Sequence, residues 1–223
     1  MRSFDIKNML PMWLRYRLMD LRGRGEYSHF ADECQCIFIH IPKAAGTSVA
    51  RTLFGKGSRH VPYFEYEKIN RRKFNRYFKF TFVRNPWDRL VSSYFFLKNG
   101  GINDADAKWA KENFADFPDF GSFVRGWVNE ENILSWQHFM PQHYFVCNSD
   151  GKIMVDFVGK MENMQKDFSY VAMKLGCEKE LKKVNAGKMK NYDSCYDNET
   201  REIVRRVYAK DIDLFGYANE CPN

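Results

Sequence analysis

A short apolar run that ends in a basic turn of small residues sets the strongest limit on what this chain can fold into. Ile37-Phe38-Ile39-His40-Ile41 reads as a buried strand, and the Gly46-Thr47-Ser48 that follows reads as the start of a helix. A strand that ends this way exposes backbone N–H groups at the first turn of the next helix, where unpaired donors and the helix dipole favour an anion. Lys43 adds a mobile positive charge to that turn. The residue order separates it from the nucleoside-triphosphate loop GxxxxGK[ST], whose lysine directly follows the last glycine. Here Lys43 comes before Gly46 and no glycine leads the loop. A phosphate-bearing donor other than ATP or GTP fits that order. An ATP-dependent kinase of small molecules or sugars on a related fold is the enzyme alternative, and it would also need Mg²⁺ ligands.

A second block repeats the logic. Phe78 to Val83 reads as another core strand, with Arg84 at its carboxyl end, the edge where ligands bind in open parallel sheets. Asn85 is a cap and Pro86 suits the first helical position, which predicts a helix through about Leu97 with Leu90, Val91, Tyr94 and Phe95 inward. Ser92 falls about two turns inside, where its hydroxyl can share a phosphate with the Arg84 guanidinium. The plain alternatives are a structural ion pair for Arg84 and a neutral helix-surface serine for Ser92. Arg89 reads as a surface or core-edge charge.

Together, Pro42-Lys43-Ala44-Ala45-Gly46-Thr47-Ser48 and Phe80 to Tyr94 resemble the two donor signatures of sulfotransferases, of the group that includes membrane-associated and bacterial carbohydrate sulfotransferases. The resemblance is good over residues 37–94 and loose elsewhere. It implies a single α/β domain over residues 1–223, with a mainly parallel central sheet flanked by helices and related to the nucleotide kinases. The implied donor is 3′-phosphoadenosine 5′-phosphosulfate (PAPS), giving adenosine 3′,5′-bisphosphate (PAP) as product. Lys43, Ala45, Gly46, Thr47 and Ser48 would hold its 5′-phosphosulfate, and Arg84 with Ser92 its 3′-phosphate. His60 sits where related carbohydrate sulfotransferases place a catalytic histidine, and an imidazole suits removal of an acceptor hydroxyl's proton. A plain loop histidine is the alternative, and Glu65 and Glu67 are the reserve bases. In the wider family a late loop closes over the 3′-phosphate, which points to Lys188 or Lys190. No metal is required, because protein donors can carry the leaving charge. The expected acceptor is a carbohydrate hydroxyl.

The remaining stretches say less. Residues 99–150 hold no motif and are expected to form the acceptor side. There, Asp119 can cap a helix that buries Phe120, Phe123, Val124 and Trp127. Trp136, Gln137, His138, Gln142 and His143 could meet a glycan, although both histidines read as surface residues. Ile153 to Val158 reads as a further strand after an Asn148 to Gly151 turn, and a last helix is expected from about Glu199 to Asp213. His40 reads as structural. Residues 9–22 read as a helix packed on the domain or as a basic amphipathic helix on a membrane surface. The interleaved cations and aromatics from Lys68 to Lys79 read as a solvated face or as a contact for an anionic acceptor.

Thirty-five Lys and Arg against 28 Asp and Glu give a net charge of +7, enough to steer a polyanionic donor. That charge is spread along the chain and matches no nucleic-acid motif, so nucleic acid is not an expected partner. A non-enzymatic basic module that binds anionic glycan or nucleic acid is the remaining alternative. The six cysteines form no CxxC pair and most read as reduced thiols, and the N-terminus shows no apolar leader. A cytoplasmic enzyme is the expectation.

Overall fold

The computed structural model describes residues 12–22, 25–28, 30–181 and 192–218. Residues 9–11, the loop with Lys188 and Lys190, and Cys221 lie outside them. The chain runs α1 (Met12–Leu21), α2 (Ala31–Cys34), β1 (Cys36–Ile39), α3 (Gly46–Phe54), α4 (Tyr63–Ile69), α5 (Arg71–Arg76), β2 (Phe78–Val83) and α6 (Pro86–Lys98). Then follow α7 (Asp104–Asn113), α8 (Phe120–Trp127), α9 (His143–Val146), β3 (Phe157–Lys160), α10 (Met164–Lys174), α11 (Asn198–Val207) and α12 (Ala209–Leu214). This is the expected α/β architecture: three parallel strands in the order β1-β2-β3, flanked by helices.

β1 and nearly all of β2 are buried on both faces, as parallel strands covered by crossover helices must be, while the edge strand β3 is only partly covered. Alternation along each strand divides the core. Phe38, Phe80 and Phe82 pack with Val49, Ala50 and Leu53 of α3 and with Phe168, Val171 and Ala172 of α10. Ile37, Ile39 and Val83 point the other way, into the cluster built by Trp87, Leu90, Val91 and Tyr94 of α6 with Phe123 and Trp127 of α8. Ile39 pairs with Thr81, so the turn leaving β1 and Arg84 leaving β2 emerge side by side at the carboxyl edge of the sheet.

The helix signals behave as their chemistry dictates. Asn85 accepts from the N–H groups of Trp87 and Asp88, with Pro86 at the first helical position. Asp119 and Ser122 form a reciprocal capping box for α8, whose aromatic face is fully in the core. The first helix is tied to the body through Asp20, which accepts from Lys73 Nζ and Asn70 Nδ2, each at 3.0 Å. Among the described residues no helix is long and apolar enough to cross a membrane.

Two expected elements differ. The run from Ile153 does not enter the sheet at its start: Ile153 bridges antiparallel to Cys147, and Met154 donates to the Val146 carbonyl. The preceding turn captures this half of the run, and only Phe157–Lys160 pairs with β2. The last helix breaks at Tyr208, whose hydroxyl donates to the Phe139 carbonyl at 2.7 Å, giving α11 and α12 in place of one helix.

Asp211 locks the start of α9 to α12. Its buried carboxylate accepts from the backbone N–H groups of Gln142 at 2.6 Å and His143 at 2.9 Å, and from His143 Nδ1 at 2.6 Å. Asp211→Ala would orphan these donors at a cost of about 1–3 kcal/mol each. Urea unfolding should therefore show a loss of about 3 kcal/mol or more, and a loss below about 1 kcal/mol would contradict the bracing role.

Candidate active site

The turn after β1 is bent by two residues in the left-handed region, Lys43 at φ 66° and Ala45 at φ 60°. Neither is glycine, and such backbone persists only where its surroundings hold it. Two arginines supply that hold. Arg89 Nε donates to the Pro42 carbonyl at 2.9 Å, and Arg84 Nη1 donates to the Lys43 carbonyl at 3.1 Å. In a trans peptide the N–H points opposite the C=O, so tying down the Pro42 carbonyl turns the Lys43 N–H away from α6. At the head of α3, Ser48 and Val49 bond back to the Ala45 carbonyl, while the Gly46 and Thr47 N–H groups have no intrahelical acceptor. Thr47 is exposed and Ser48 half-buried.

Gly46 is required by contact. A Cβ there would lie 2.0 Å from Cδ2 of His40, whose ring is buried under the turn with Nδ1 hydrogen-bonded to the Ser58 hydroxyl 2.8 Å away. Burial, together with the neighbouring His60, pushes His40 down to about 3, so it is a neutral packing and hydrogen-bonding group.

Arg84 grips Asp88 with two charge-assisted bonds of 2.6 and 2.7 Å, and the remaining N–H donors of its guanidinium are open to another anion. Its backbone N–H and C=O are both satisfied by the fully buried amide of Gln142, at 2.9 and 2.8 Å. Ser92 is half-buried one turn beyond Asp88 on the same face of α6. Arg89 is 2% exposed, which corrects its reading as a surface or core-edge charge. Its Nη2 is buried without a hydrogen-bond partner among the described residues.

The Lys43 ammonium lies 4.0 Å from the centroid of the Phe96 ring. Burial, with Arg84 and Arg89 close by, pushes Lys43 down to about 8. His60 belongs to the same cluster: its Nδ1 is 3.0 Å from the His40 carbonyl and its ring centroid is 4.2 Å from that of His40. A carbonyl can only accept, so Nδ1 carries the hydrogen and Nε2 is left as a bare lone pair. Burial holds His60 below the usual imidazole value. Glu65, by contrast, pairs with Lys68, and Glu67 with Arg71, along the helices.

Two members of the site are not marked as such by the sequence. Asp106 and His138, 1% and 5% exposed, lie beside Lys43 and His60, with His138 Nε2 3.3 Å from Asp106 Oδ1. His138 is therefore no surface residue, and neither is His143, whose ring is bound to Asp211. The Gln142 side chain is spent on the backbone of Arg84, so it is not free to meet a glycan, and Trp136 stacks on Trp109. The Asn103 cap for α7 was the one local pattern that could have placed Asp106 in a first helical turn.

The profile of the sulfotransferase family matches residues 28–218. Carbohydrate sulfotransferase 14 of Danio rerio is 27% identical over 170 residues, 66% of this chain and 46% of that protein. Sulfotransferase 2A2 of Mus musculus is 30% identical over 120 residues, 49% of this chain and 39% of that protein. An uncharacterized protein of Archaeoglobus fulgidus is 29% identical over 126 residues, 56% of this chain and 90% of its own length. The chain thus spans less than half the length of the two named sulfotransferases.

The Gly46–His40 contact can be tested by itself. Gly46→Ala forces a methyl into a buried ring and should cost about 1–3 kcal/mol in urea unfolding, the range for overpacking. Removing the ring as well should relieve most of that increment, so the cost of Gly46→Ala measured in a His40→Ala background should be well under half. Additive losses would mean that the two residues do not collide.

Proposed function

We propose that this chain, which belongs to the sulfotransferase family, transfers a sulfuryl group from PAPS to a hydroxyl of a carbohydrate acceptor. The observation that carries the reading is the turn after β1. Its carbonyls are held by Arg84 and Arg89, its free N–H groups head α3, and Lys43 within it rests its ammonium on the Phe96 ring. The chemistry of this donor set suits a dianionic ester: backbone N–H groups, a lysine, a guanidinium with donors to spare, and a glycine that adds no side chain of its own to the turn. Lys43, Ala45, Gly46, Thr47 and Ser48 would hold the 5′ end, and Arg84 with Ser92 the 3′-phosphate. When bound, PAPS supplies an activated sulfuryl group on a phosphate leaving group.

The chain's own part is orientation, charge and one proton. Lys43 places its ammonium where the leaving phosphate gains negative charge, an electrostatic task in a site shielded by Phe96. His60, with Nδ1 committed to the His40 carbonyl, offers Nε2 to the acceptor hydroxyl and takes its proton. The carbohydrate acceptor follows from the resemblance to carbohydrate sulfotransferase 14, at the level of acceptor class only.

The donor assignment is tested by thermal unfolding. Adenosine 3′,5′-bisphosphate at 100 times its Kd should stabilise the protein by roughly 2.7 kcal/mol. Stabilisation by ATP with Mg²⁺ and none by the bisphosphate would overturn it. A pH profile then tests the two roles. The rate constant kcat/KM reports the free enzyme, needs His60 neutral and needs Lys43 protonated. With His60 held below its usual value and Lys43 near 8, the profile should rise on an acid limb below pH 6.5 and fall on a basic limb near pH 8. Lys43→Arg should carry the basic limb beyond the measurable range, because arginine does not deprotonate there. His60→Ala should reduce kcat by about 10²- to 10⁴-fold while bisphosphate affinity holds. An unmoved basic limb in Lys43→Arg, or parental turnover in His60→Ala, would remove the residue concerned from its role.

A further inference from the structure

Asp106 and His138 form a buried polar pair that the transfer step does not explain. Asp106 stands in the first turn of α7, with Oδ2 accepting from the Ile102 N–H at 3.1 Å. Its Oδ1 has no hydrogen-bond partner among the described residues, and neither ring nitrogen of His138 has one. The closest approach between them is the 3.3 Å from Oδ1 to Nε2. Three orphaned polar atoms in one place are costly unless they serve a purpose. The pair is also firmly placed. The His138 carbonyl accepts from Ser93 Oγ at 2.8 Å, and its ring packs on Phe96, centroids 4.9 Å apart. A Cβ on Gly101 would fall 2.1 Å from that of Asp106, so the chain keeps a glycine there to let the carboxylate in. On its other side the His138 ring stands edge-on to His60, centroids 6.2 Å apart.

We propose that Asp106, with His138 set between it and His60, is a positioning residue that supplies the countercharge for the imidazolium His60 becomes on taking the acceptor's proton. The inference rests on the reading of His60 as the base. In the transfer step the acceptor O–H bond breaks, its oxygen bonds to sulfur, and the sulfur–phosphate oxygen bond breaks with its electron pair leaving on the bisphosphate. The proton moves to His60 Nε2. That new charge arises near two cations, Lys43 from the turn and Arg89 from α6, and beside the neutral rings of His40 and His138. Asp106 is the carboxylate facing His60 in this set, and it acts to raise the proton affinity of His60, His138 and Lys43 alike. His138 stays neutral, since burial pushes it down to about 4, so it can direct Nε2–H at the carboxylate without adding to the positive charge.

Asp106→Asn keeps an oxygen for the Ile102 N–H and removes the charge. NMR titration of the free protein should then give a His60 pKa at least half a unit lower than parental, and the acid limb of kcat/KM should move to lower pH by the same amount. The kcat should fall about 10- to 100-fold with bisphosphate affinity unchanged. A purely structural carboxylate would leave the titration where it was, and that result overturns the proposal. Should Asp106→Asn fail to fold, His138→Gln answers instead: a tenfold or greater loss of kcat at parental bisphosphate affinity supports the pair, and parental kcat overturns it. The titration needs neither donor nor acceptor, so it separates this inference from the reading of His60 as base, which parental turnover in His60→Ala would defeat by itself.

Discussion

Two guanidinium-to-carbonyl hydrogen bonds hold the centre of this molecule together. Arg89 on Pro42 and Arg84 on Lys43 keep a turn with two non-glycine residues at positive φ in the one shape that presents its N–H groups outward. Left alone, such a turn would relax toward ordinary backbone. Both arginines follow β2 directly or stand in α6, and parallel pairing of β1 with β2 brings them to the turn. The sheet is therefore the jig for the site: shifting the register by one residue would exchange the two core faces and carry Arg84 off the Lys43 carbonyl.

This arrangement explains the weight of buried polar groups around the carboxyl edge. Arg84 is held by Asp88 and by the Gln142 amide, Gln142 by Asp211, and Asp211 also by His143. Asp88 lies on α6, Gln142 and His143 at the start of α9, and Asp211 on α12, so these three helices are joined through one chain of hydrogen bonds to a turn that none of them contains. A network of this kind specifies one geometry, which a site that orients reacting atoms needs. Where satisfaction stops, at Arg89 Nη2, His138 and Asp106 Oδ1, the cluster faces Lys43 and His60.

The fold was legible in the sequence wherever local chemistry and burial agreed. The runs at Ile37 and Phe78, the Gly-Thr-Ser helix start, the Asn85-Pro86 cap and the Asp119 cap each state their structure within a few residues, and β2 and α6 fall where those signals put them. The strand from Ile153 was misplaced because a nearby turn and a distant strand compete for the same apolar run, and only tertiary pairing decides between them. The site was legible in its donor half, where the residues cluster in sequence. Its other half comes from residues that are far apart in the chain and unremarkable in their surroundings. Asp106 looks like one more acidic residue in a helical first turn, and His138 like a polar residue between aromatics. Burial alone sets them apart, and burial at 1% and 5% is a property of the packed chain.

On this reading the donor's phosphates bind at the turn after β1, as Arg84 and Arg89 hold it. Backbone amide shifts of the isotopically labelled protein, followed as adenosine 3′,5′-bisphosphate is added, test it most directly. The largest changes should fall on Lys43, Ala45, Gly46, Thr47 and Ser48, with a second group at Arg84 and Ser92 and little elsewhere on the sheet. Changes centred on the basic surface from Lys68 to Arg76, with the turn after β1 unmoved, would contradict it.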